Sequence, residues 1–191
     1  RRQHAPAGRY YVTIVAARLD DEVKGPHLLM EIAQQLQLRH PEIAERTTLL
    51  LVGGIRREGY FDGLALPHIA LGSIRERTQL ASLYAASDVL ISTSVYETFG
   101  QTLSEALAVG TPVLSFRCGG PEDIIEDGRT GYLIDAFDPE QYAARLIELL
   151  ERRGQGAFDP ETCRSSVQRF GAARIATELS QLYAAALQPI P

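Results

Sequence analysis

The 191-residue sequence contains few of the residues on which several classes of protein depend. Its two cysteines, Cys118 and Cys163, lie far apart, without a CxxC pair or a cysteine–histidine ladder. This spacing argues against a disulfide framework and a zinc site, and it is typical of the reducing cytoplasm. The net charge of −5 leaves no basic excess to neutralise nucleic-acid phosphates. We therefore expect a cytoplasmic protein that does not bind nucleic acid.

Long apolar runs and two common phosphate-binding motifs are also missing. The least charged stretch, residues 79–96, contains Asp88 and divides into a helical and a strand pattern, so we expect no membrane span. The GxGxxG and GxxxxGK[ST] motifs are absent, which argues against dinucleotide and P-loop sites. The segment RRQHAPAGR lacks the apolar core of a secretory signal. We interpret residues 1–9 as a linker and residues 10–191 as one domain.

Strand and helix patterns alternate along the domain. Strands are predicted at 10–17, 47–54, 68–73, 88–93, 111–116 and 130–135. Helices are predicted between them, and two more within 159–187. This alternation predicts an α/β fold, a doubly wound parallel sheet with C-terminal helices. Ligands bind such sheets outside the carboxyl ends of the strands, so the loops that follow the strands are where chemistry is expected.

The loop after the first strand contains two cations, Arg18 and Lys24, and the next helix begins just beyond them. Two cations beside a positive helix terminus suit a diphosphate. The same residues could instead neutralise Asp20, Asp21 and Glu22 on a solvated loop. The loop by itself leaves both interpretations open.

The loop after the fourth strand leads into a helix that Gly100 opens. Free amides of Gly100, Gln101 and Thr102 would point at an anion. Glu97 precedes this helix and Glu105 lies one turn inside it. The two carboxylates could act as acid and base or bind hydroxyl groups, or Glu97 could pair with the helix dipole while Glu105 is merely exposed.

A glycine pair, Gly119–Gly120, follows the fifth strand. It is consistent either with a further anion-binding turn or with a tight connection from strand to helix.

No cluster of carboxylates suggests a DxD-type metal site, so no metal is expected.

Taken in order, these segments resemble the C-terminal, nucleotide-sugar-binding domain of GT-B fold retaining glycosyltransferases. The family is glycosyltransferase family 4-like, also described as glycosyl transferases group 1. The segments are RLDDEVKG, LLLVGG, LGSI, LYAASDVLISTSVYETFGQTLSEALAVGTPV and GGPEDIIEDGRTGYLI. The ETFGQ and GGPEDI segments are most similar to bacterial enzymes that build surface polysaccharides.

The resemblance implies an enzyme, a hexosyltransferase type, that uses a nucleotide-diphospho-sugar and needs no other cofactor. Arg18 and Lys24 match the cations that hold the donor diphosphate. Glu97 and Glu105 match the two ends of the family's Glu-x7-Glu motif, facing the transferred sugar and the ribose respectively. Further donor-binding positions are Phe99, Gly100, Gln101, Thr102 and, next to the base, Ile74.

The resemblance also implies that the acceptor-binding N-terminal domain is missing from this chain, and it is compatible with peripheral membrane contact through that half. Two features depart from the family pattern. The segment between Gly54 and His68 is shorter than usual, which predicts a truncated helix there, and Thr93 stands where the family commonly has a proline. Two alternatives are a GT-B fold nucleotide-sugar epimerase and a non-catalytic nucleotide-sugar-binding module.

Overall fold

A computed structural model describes residues 8–135 and 137–187 of the protein. Six strands form one sheet: β1 (Tyr10–Arg18), β2 (Thr47–Gly54), β3 (His68–Gly72), β4 (Val89–Ser92), β5 (Val113–Phe116) and β6 (Gly131–Ile134). Every pairing is parallel, and the strand order is β3-β2-β1-β4-β5-β6. The predicted doubly wound α/β fold is therefore confirmed.

Helices connect and flank the strands. They are α1 (Pro26–Arg39), α2 (Pro41–Ala44), α3 (Arg77–Ala86), α4 (Gln101–Ala108), α5 (Pro121–Ile124), α6 (Pro139–Gly154), α7 (Pro160–Ser166) and α8 (Ala172–Ala186). At the start of α6 the Asp138 carboxylate accepts hydrogen bonds from the amides of Glu140 and Gln141, and Pro139 takes the first helical position. No helix in the described ranges is long and apolar enough to cross a membrane.

Apart from β3, the sheet is covered on both faces, and neighbouring residues of one strand enter opposite cores. In β4, Val89 and Ile91 pack with α1 and α6, whereas Leu90 packs in a second core with Leu103 of α4. A strand that is buried on both sides has no polar face to show. This two-sided burial explains why the strand sequences are nearly continuous apolar runs.

The β3 edge of the sheet is the least covered by other elements. All five residues of β3 are exposed, and residues 55–67 form turns without a helix, where the short spacing predicted a truncated one. Phe61, Leu64 and Leu66 from these turns are nevertheless buried in the core. The turns therefore help to close the core beside β2 and leave the outer edge of the sheet open.

The strand order reverses between β1 and β4. From β1 the chain first winds outward to β2 and β3, and it then returns to add β4 on the other side of β1. The connections that leave β1 and β4 therefore diverge and open a crevice at the carboxyl ends of these two strands. The site described next lies in that crevice.

Candidate active site

A cleft of about 210 Å³ occupies the crevice between β1 and β4. Its floor consists of the last residues of both strands. Its rim is formed by polar side chains that the sequence had placed in two separate loops: Lys24, Ser94, Glu97, Gln101 and Thr102. The structure thus brings together four of the residues predicted for the site, Lys24, Glu97, Gln101 and Thr102.

Lys24 and Glu97 form an ion pair across the cleft. Lys24 Nζ lies 2.8 Å from Glu97 Oε2, although the two residues are 73 positions apart in the sequence. Both side chains are partly exposed, at 32% for Lys24 and 21% for Glu97, so a ligand can reach them. Lys24 is also the only lysine of the sequence. The cleft therefore holds the one side-chain ammonium group of the sequence.

Main-chain contacts fix the Lys24 loop against the loop that follows β4. Gly25 adopts a left-handed conformation (φ +60°), and a Cβ there would lie 2.0 Å from the Thr93 carbonyl oxygen. The Thr93 hydroxyl donates to the Lys24 carbonyl at 2.9 Å, and the Val95 amide donates to the Val23 carbonyl at 2.9 Å. Thr93 is therefore a structural part of the site, a role that its sequence position did not reveal.

The Glu97 segment is held from its other side by the loop after β5. The Glu97 amide donates to the Cys118 carbonyl at 3.0 Å, and the Gly120 amide donates to the Glu97 carbonyl at 2.8 Å. A Cβ on Gly120 would lie 2.3 Å from Phe99 main-chain atoms, and one on Gly119 would lie 2.8 Å from the Glu97 carbonyl oxygen. Close packing of main chains accounts for both glycines, which favours the tight connection over an anion-binding turn.

Helix α4 begins at the cleft without a side-chain cap. Gly100 is its N-cap, in a left-handed conformation (φ +94°), and no side chain accepts a hydrogen bond from the first turn. Gln101 and Thr102, which open the helix, line the cleft. The first amides of a helix carry a partial positive charge and lack partners within the helix. The cleft therefore contains two positive groups, the Lys24 ammonium, which is paired with Glu97, and the start of α4.

Arg18 lies beside the cleft rather than on its lining. Its Nη2 is 2.9 Å from Asp21 Oδ2, and its Nε is 3.6 Å from Asp20 Oδ1. Arg18 thus makes the carboxylate contacts that the sequence left as its alternative interpretation. The Arg18 side chain is 38% exposed, so a ligand beside the cleft could reach it.

Asp20 joins the loops that follow β1 and β2. Its buried carboxylate accepts hydrogen bonds from the amides of Arg56 (3.0 Å) and Arg57 (2.8 Å). Burial raises the pKa of Asp20, but these two amides and the nearby Arg18 guanidinium outweigh that effect and hold the pKa below its ordinary value. Asp20 therefore stays ionised and anchors the Arg18 loop, a role that the sequence did not indicate.

Glu105 faces a separate hollow of about 360 Å³ between α3 and α4. Tyr84 Oη donates to Glu105 Oε2 at 3.1 Å, and Gln101 Nε2 donates to Glu105 Oε1 at 3.2 Å. Gln101 lines both the hollow and the cleft. The two cavities therefore meet at Gln101, with Glu97 on one side and Glu105 on the other.

The two remaining predicted residues lie away from the cleft lining. The Phe99 ring packs edge-on against Phe170, with 5.1 Å between ring centroids, and so ties the α4 loop to the segment before α8. Ile74 lies in a shallow groove beside α3, next to the exposed end of β3. Neither side chain contacts the Lys24–Glu97 pair.

Cys118 borders the site but is poorly suited to react. Burial, with a further contribution from the Glu97 carboxylate, raises its pKa to about 11. A thiol with such a pKa is almost entirely protonated near neutral pH. Within residues 8–135 and 137–187, no three His, Cys, Asp or Glu side chains are grouped so that they could hold a metal ion.

The sheet and the cleft at its reversal point define the class: a Rossmann-like domain of the GT-B type. The chain belongs to the family described as glycosyl transferases group 1, whose sequence model matches residues 1–165. Among curated proteins, D-inositol 3-phosphate glycosyltransferase 2 of Catenulispora acidiphila is 32% identical over 178 residues, covering 88% of this chain and 42% of that protein.

Two solved structures share the fold. Sucrose-phosphate synthase from Thermosynechococcus elongatus superposes with a TM-score of 0.76 at 27% identity, covering 95% of this chain and 46% of that one. Anabaena Alr3699/HepE, in complex with UDP and glucose, gives 0.74 at 23% identity, covering 94% and 49%. The chain spans less than half the length of each of these three proteins.

Proposed function

We propose that this chain binds a nucleotide-diphospho-sugar and supplies the donor half of a retaining hexosyltransferase. The observation that carries the proposal is the Lys24–Glu97 pair at the β1–β4 crevice, beside the uncapped start of α4. Family membership supports glycosyl transfer, and the UDP and glucose in the HepE complex support a nucleotide sugar as the donor.

The diphosphate is expected at the positive side of the cleft. Lys24 and the amides at the start of α4 would neutralise the charge that develops on the leaving diphosphate, and Arg18 would join them once it leaves Asp21. These groups can supply that charge without a metal ion. Glu97 shares the cleft with Lys24, so its carboxylate would face the transferred sugar, which follows the diphosphate.

The sugar would be transferred with retention. As the diphosphate departs, the anomeric carbon becomes positively charged, and an acceptor hydroxyl attacks it from the face that the diphosphate leaves. The leaving diphosphate can take the proton of that hydroxyl. A second wall must position the acceptor, and positioning can contribute about 7–11 kcal/mol to lowering the barrier. We therefore expect the chain to bind the donor but to transfer sugar only together with an acceptor-binding domain.

Calorimetric titration of the chain with UDP, GDP, ADP and their sugar conjugates tests the proposal. Binding of at least one of them is expected in EDTA. Binding that requires Mg²⁺ or Mn²⁺ would contradict the assigned role of Lys24 and α4, and no binding at all would contradict the proposed function.

The single lysine permits an independent measurement. Because Lys24 holds the only side-chain amine, an amine-reactive acylating reagent should label the chain at Lys24 and at the N-terminus, and peptide mass spectrometry separates the two sites. A bound nucleoside diphosphate should slow labelling of Lys24 and leave the N-terminus unaffected. Equal rates at Lys24 with and without a bound nucleotide would place the diphosphate elsewhere.

A further inference from the structure

Tyr84 is a buried tyrosine whose hydroxyl group reaches the edge of the proposed donor site. Only 1% of its surface is exposed. Its hydroxyl donates to Glu105 Oε2 at 3.1 Å. Its main-chain carbonyl accepts hydrogen bonds from the Thr111 hydroxyl at 2.6 Å and from the Ser87 amide at 3.0 Å. The phenol ring is therefore held in place by its burial and by the hydrogen bonds of the Tyr84 main chain.

Tyr84 and Gln101 together hold both oxygens of Glu105. Gln101 Nε2 contacts Oε1 at 3.2 Å from within α4, and Tyr84 contacts Oε2 from α3. A partly exposed glutamate ordinarily samples several rotamers, and ordering it costs conformational entropy. Here that ordering is present before a ligand arrives. Each carboxylate oxygen has two acceptor sites, so both can still accept a hydrogen bond from a ligand.

The position of Glu105 suits the part of a nucleotide-sugar donor that lies on the nucleoside side of the diphosphate. Gln101 lines both the cleft that contains Lys24 and the hollow that contains Glu105. A ligand with its diphosphate at Lys24 can therefore extend past Gln101 and present neighbouring hydroxyl groups to Glu105. Two vicinal hydroxyls match the two oxygens of one carboxylate.

The hydroxyl of Tyr84 acts as a donor throughout the physiological range. Burial raises its pKa above the ordinary tyrosine value, and the charge of Glu105 raises it further. The phenol therefore stays protonated, and a protonated phenol beside a carboxylate can only donate to it.

We propose that Tyr84 is a positioning residue: its hydroxyl, with the Gln101 amide, holds Glu105 in the orientation that accepts the vicinal ribose hydroxyls of the donor nucleotide. The inference rests on the proposed function and deepens it. It assigns part of ribose recognition to a residue of α3 that contacts Glu105 rather than the ligand.

The test compares ribonucleotides with nucleotides that lack both ribose hydroxyls. The chain is titrated with UDP, GDP and ADP, and the tightest binder is then compared with its 2′,3′-dideoxy counterpart. Tyr84→Phe should weaken binding of the ribonucleotide by about three- to tenfold, which corresponds to the loss of one hydrogen bond. It should change the affinity for the dideoxynucleotide by less than about twofold. In a Glu105→Gln background, Tyr84→Phe should cause little further loss.

Tyr132→Phe provides a matched control. Tyr132 is also buried, at 4% exposure, and also donates to a glutamate, Glu148 of α6, but it belongs to β6 and lines neither the cleft nor the hollow. The Tyr132→Phe substitution should leave the affinity for both nucleotides unchanged. Thermal unfolding of every variant shows what fraction of each sample is folded.

The outcomes separate the inference from the proposed function. If the unmodified chain binds none of the nucleotides, the proposed function fails and the inference fails with it. If the chain binds ribonucleotide and dideoxynucleotide equally well, Glu105 does not recognise the ribose. If the chain prefers the ribonucleotide but Tyr84→Phe weakens both ligands equally or neither of them, the positioning role is wrong while the proposed function stands.

Discussion

The crevice beside β4 and the open edge at β3 are built in different ways. In the crevice, three loops are joined by main-chain hydrogen bonds, and Gly25 and Gly120 allow approaches that no side chain would tolerate. At the β3 edge every strand residue is exposed, and Ile74 borders only a shallow groove. The region proposed for the diphosphate is thus fixed by closely packed main chains, whereas the region next to Ile74, which the family resemblance assigns to the base, lies at an exposed edge.

This difference fits the chemistry of the donor. A diphosphate is common to all nucleotide-diphospho-sugars, so a rigid backbone can serve every one of them. Bases differ, and a surface of exposed side chains can change without disturbing the core. We infer that fold stability and diphosphate binding are coupled at the crevice and largely independent at the β3 edge.

The largest expected effect comes from a matched pair of glycines. Gly25 and Gly72 are both left-handed, at φ +60° and +66°, but a Cβ on Gly25 would meet the Thr93 carbonyl at 2.0 Å, whereas one on Gly72 would meet nothing within 4 Å. Gly25→Ala combines a left-handed penalty with overpacking, about 2–5 kcal/mol in all. Gly72→Ala should cost only the penalty of about 1–2 kcal/mol.

Urea denaturation of the two variants measures this difference in the free energy of unfolding. Nucleotide affinity should fall in Gly25→Ala and stay unchanged in Gly72→Ala, because only Gly25 adjoins Lys24. Equal losses of stability would show that the crevice yields as easily as the open edge, and the contrast between the regions would fail.

Lys24 should show the next largest effect. Removing a charge-assisted, partly desolvated contact in Lys24→Ala should weaken binding of a nucleoside diphosphate by about 2–4 kcal/mol. Lys24→Arg should restore little of it, because a planar guanidinium does not reproduce a compact ammonium in a narrow cleft. Arg129→Ala removes an exposed ion pair with Glu126 outside the site and should change affinity by less than about 1 kcal/mol.

Calorimetric titration of the three variants gives these affinities. Full recovery in Lys24→Arg would show that the cleft requires only a positive charge. A small loss in Lys24→Ala would reduce Lys24 to a solvated loop charge and reopen the location of the diphosphate.

Much of the fold was predictable because its rules are local. Two-sided burial leaves continuous apolar strands, and Gly100 and Pro139 mark helix starts that the structure reproduces. The placement of the Lys24 and Glu97 loops at one edge of the sheet also followed from the sequence, because the carboxyl ends of parallel strands share that edge. The ion pair between the two side chains was not predicted. These predictions needed only periodicity, helix signals and topology.

The orientations of side chains were not predictable, because they depend on competition among distant partners. Arg18 turns toward Asp20 and Asp21, and nothing in the spacing decides between these carboxylates and a phosphate. Tyr84 sits in a helical pattern that indicates a core residue, and its partner Glu105 is 21 positions away. Such contacts become visible only once α3 and α4 are packed.

The two glutamates separate the ends of the donor, with a smaller expected effect. Glu105→Gln should weaken a nucleoside diphosphate and its sugar conjugate alike, by about 1–3 kcal/mol, because both ligands carry the ribose. Glu97→Gln should weaken binding of the sugar conjugate only. The affinity for the free nucleotide should stay unchanged or rise slightly, because Lys24 no longer has to give up its ion pair with Glu97 to bind the diphosphate.

Paired titrations of nucleotide and nucleotide sugar decide between these roles. If Glu97→Gln weakens the free nucleotide as much as Glu105→Gln does, both residues support the loop in general, and the assignment of one carboxylate to each end of the donor is wrong.

The smallest effect should come from Thr93, and it tests whether backbone anchoring at the crevice reaches the ligand. The buried hydroxyls of Thr93 and Thr47 each donate to a carbonyl, that of Lys24 at 2.9 Å and that of Ile43 at 2.8 Å. Replacing either with valine keeps the shape but removes that hydrogen bond, at a cost of about 0.5–1.5 kcal/mol in stability. The Ile43 carbonyl keeps a second hydrogen bond, from the Arg46 amide at 3.1 Å. Only Thr93→Val should also weaken nucleotide binding, by up to about 1 kcal/mol, because the carbonyl it releases belongs to Lys24, the residue proposed to meet the diphosphate. Urea denaturation and nucleotide titration of both variants provide the measurement. A loss of affinity in Thr47→Val as large as that in Thr93→Val would show that binding follows global stability rather than the local anchoring of Lys24.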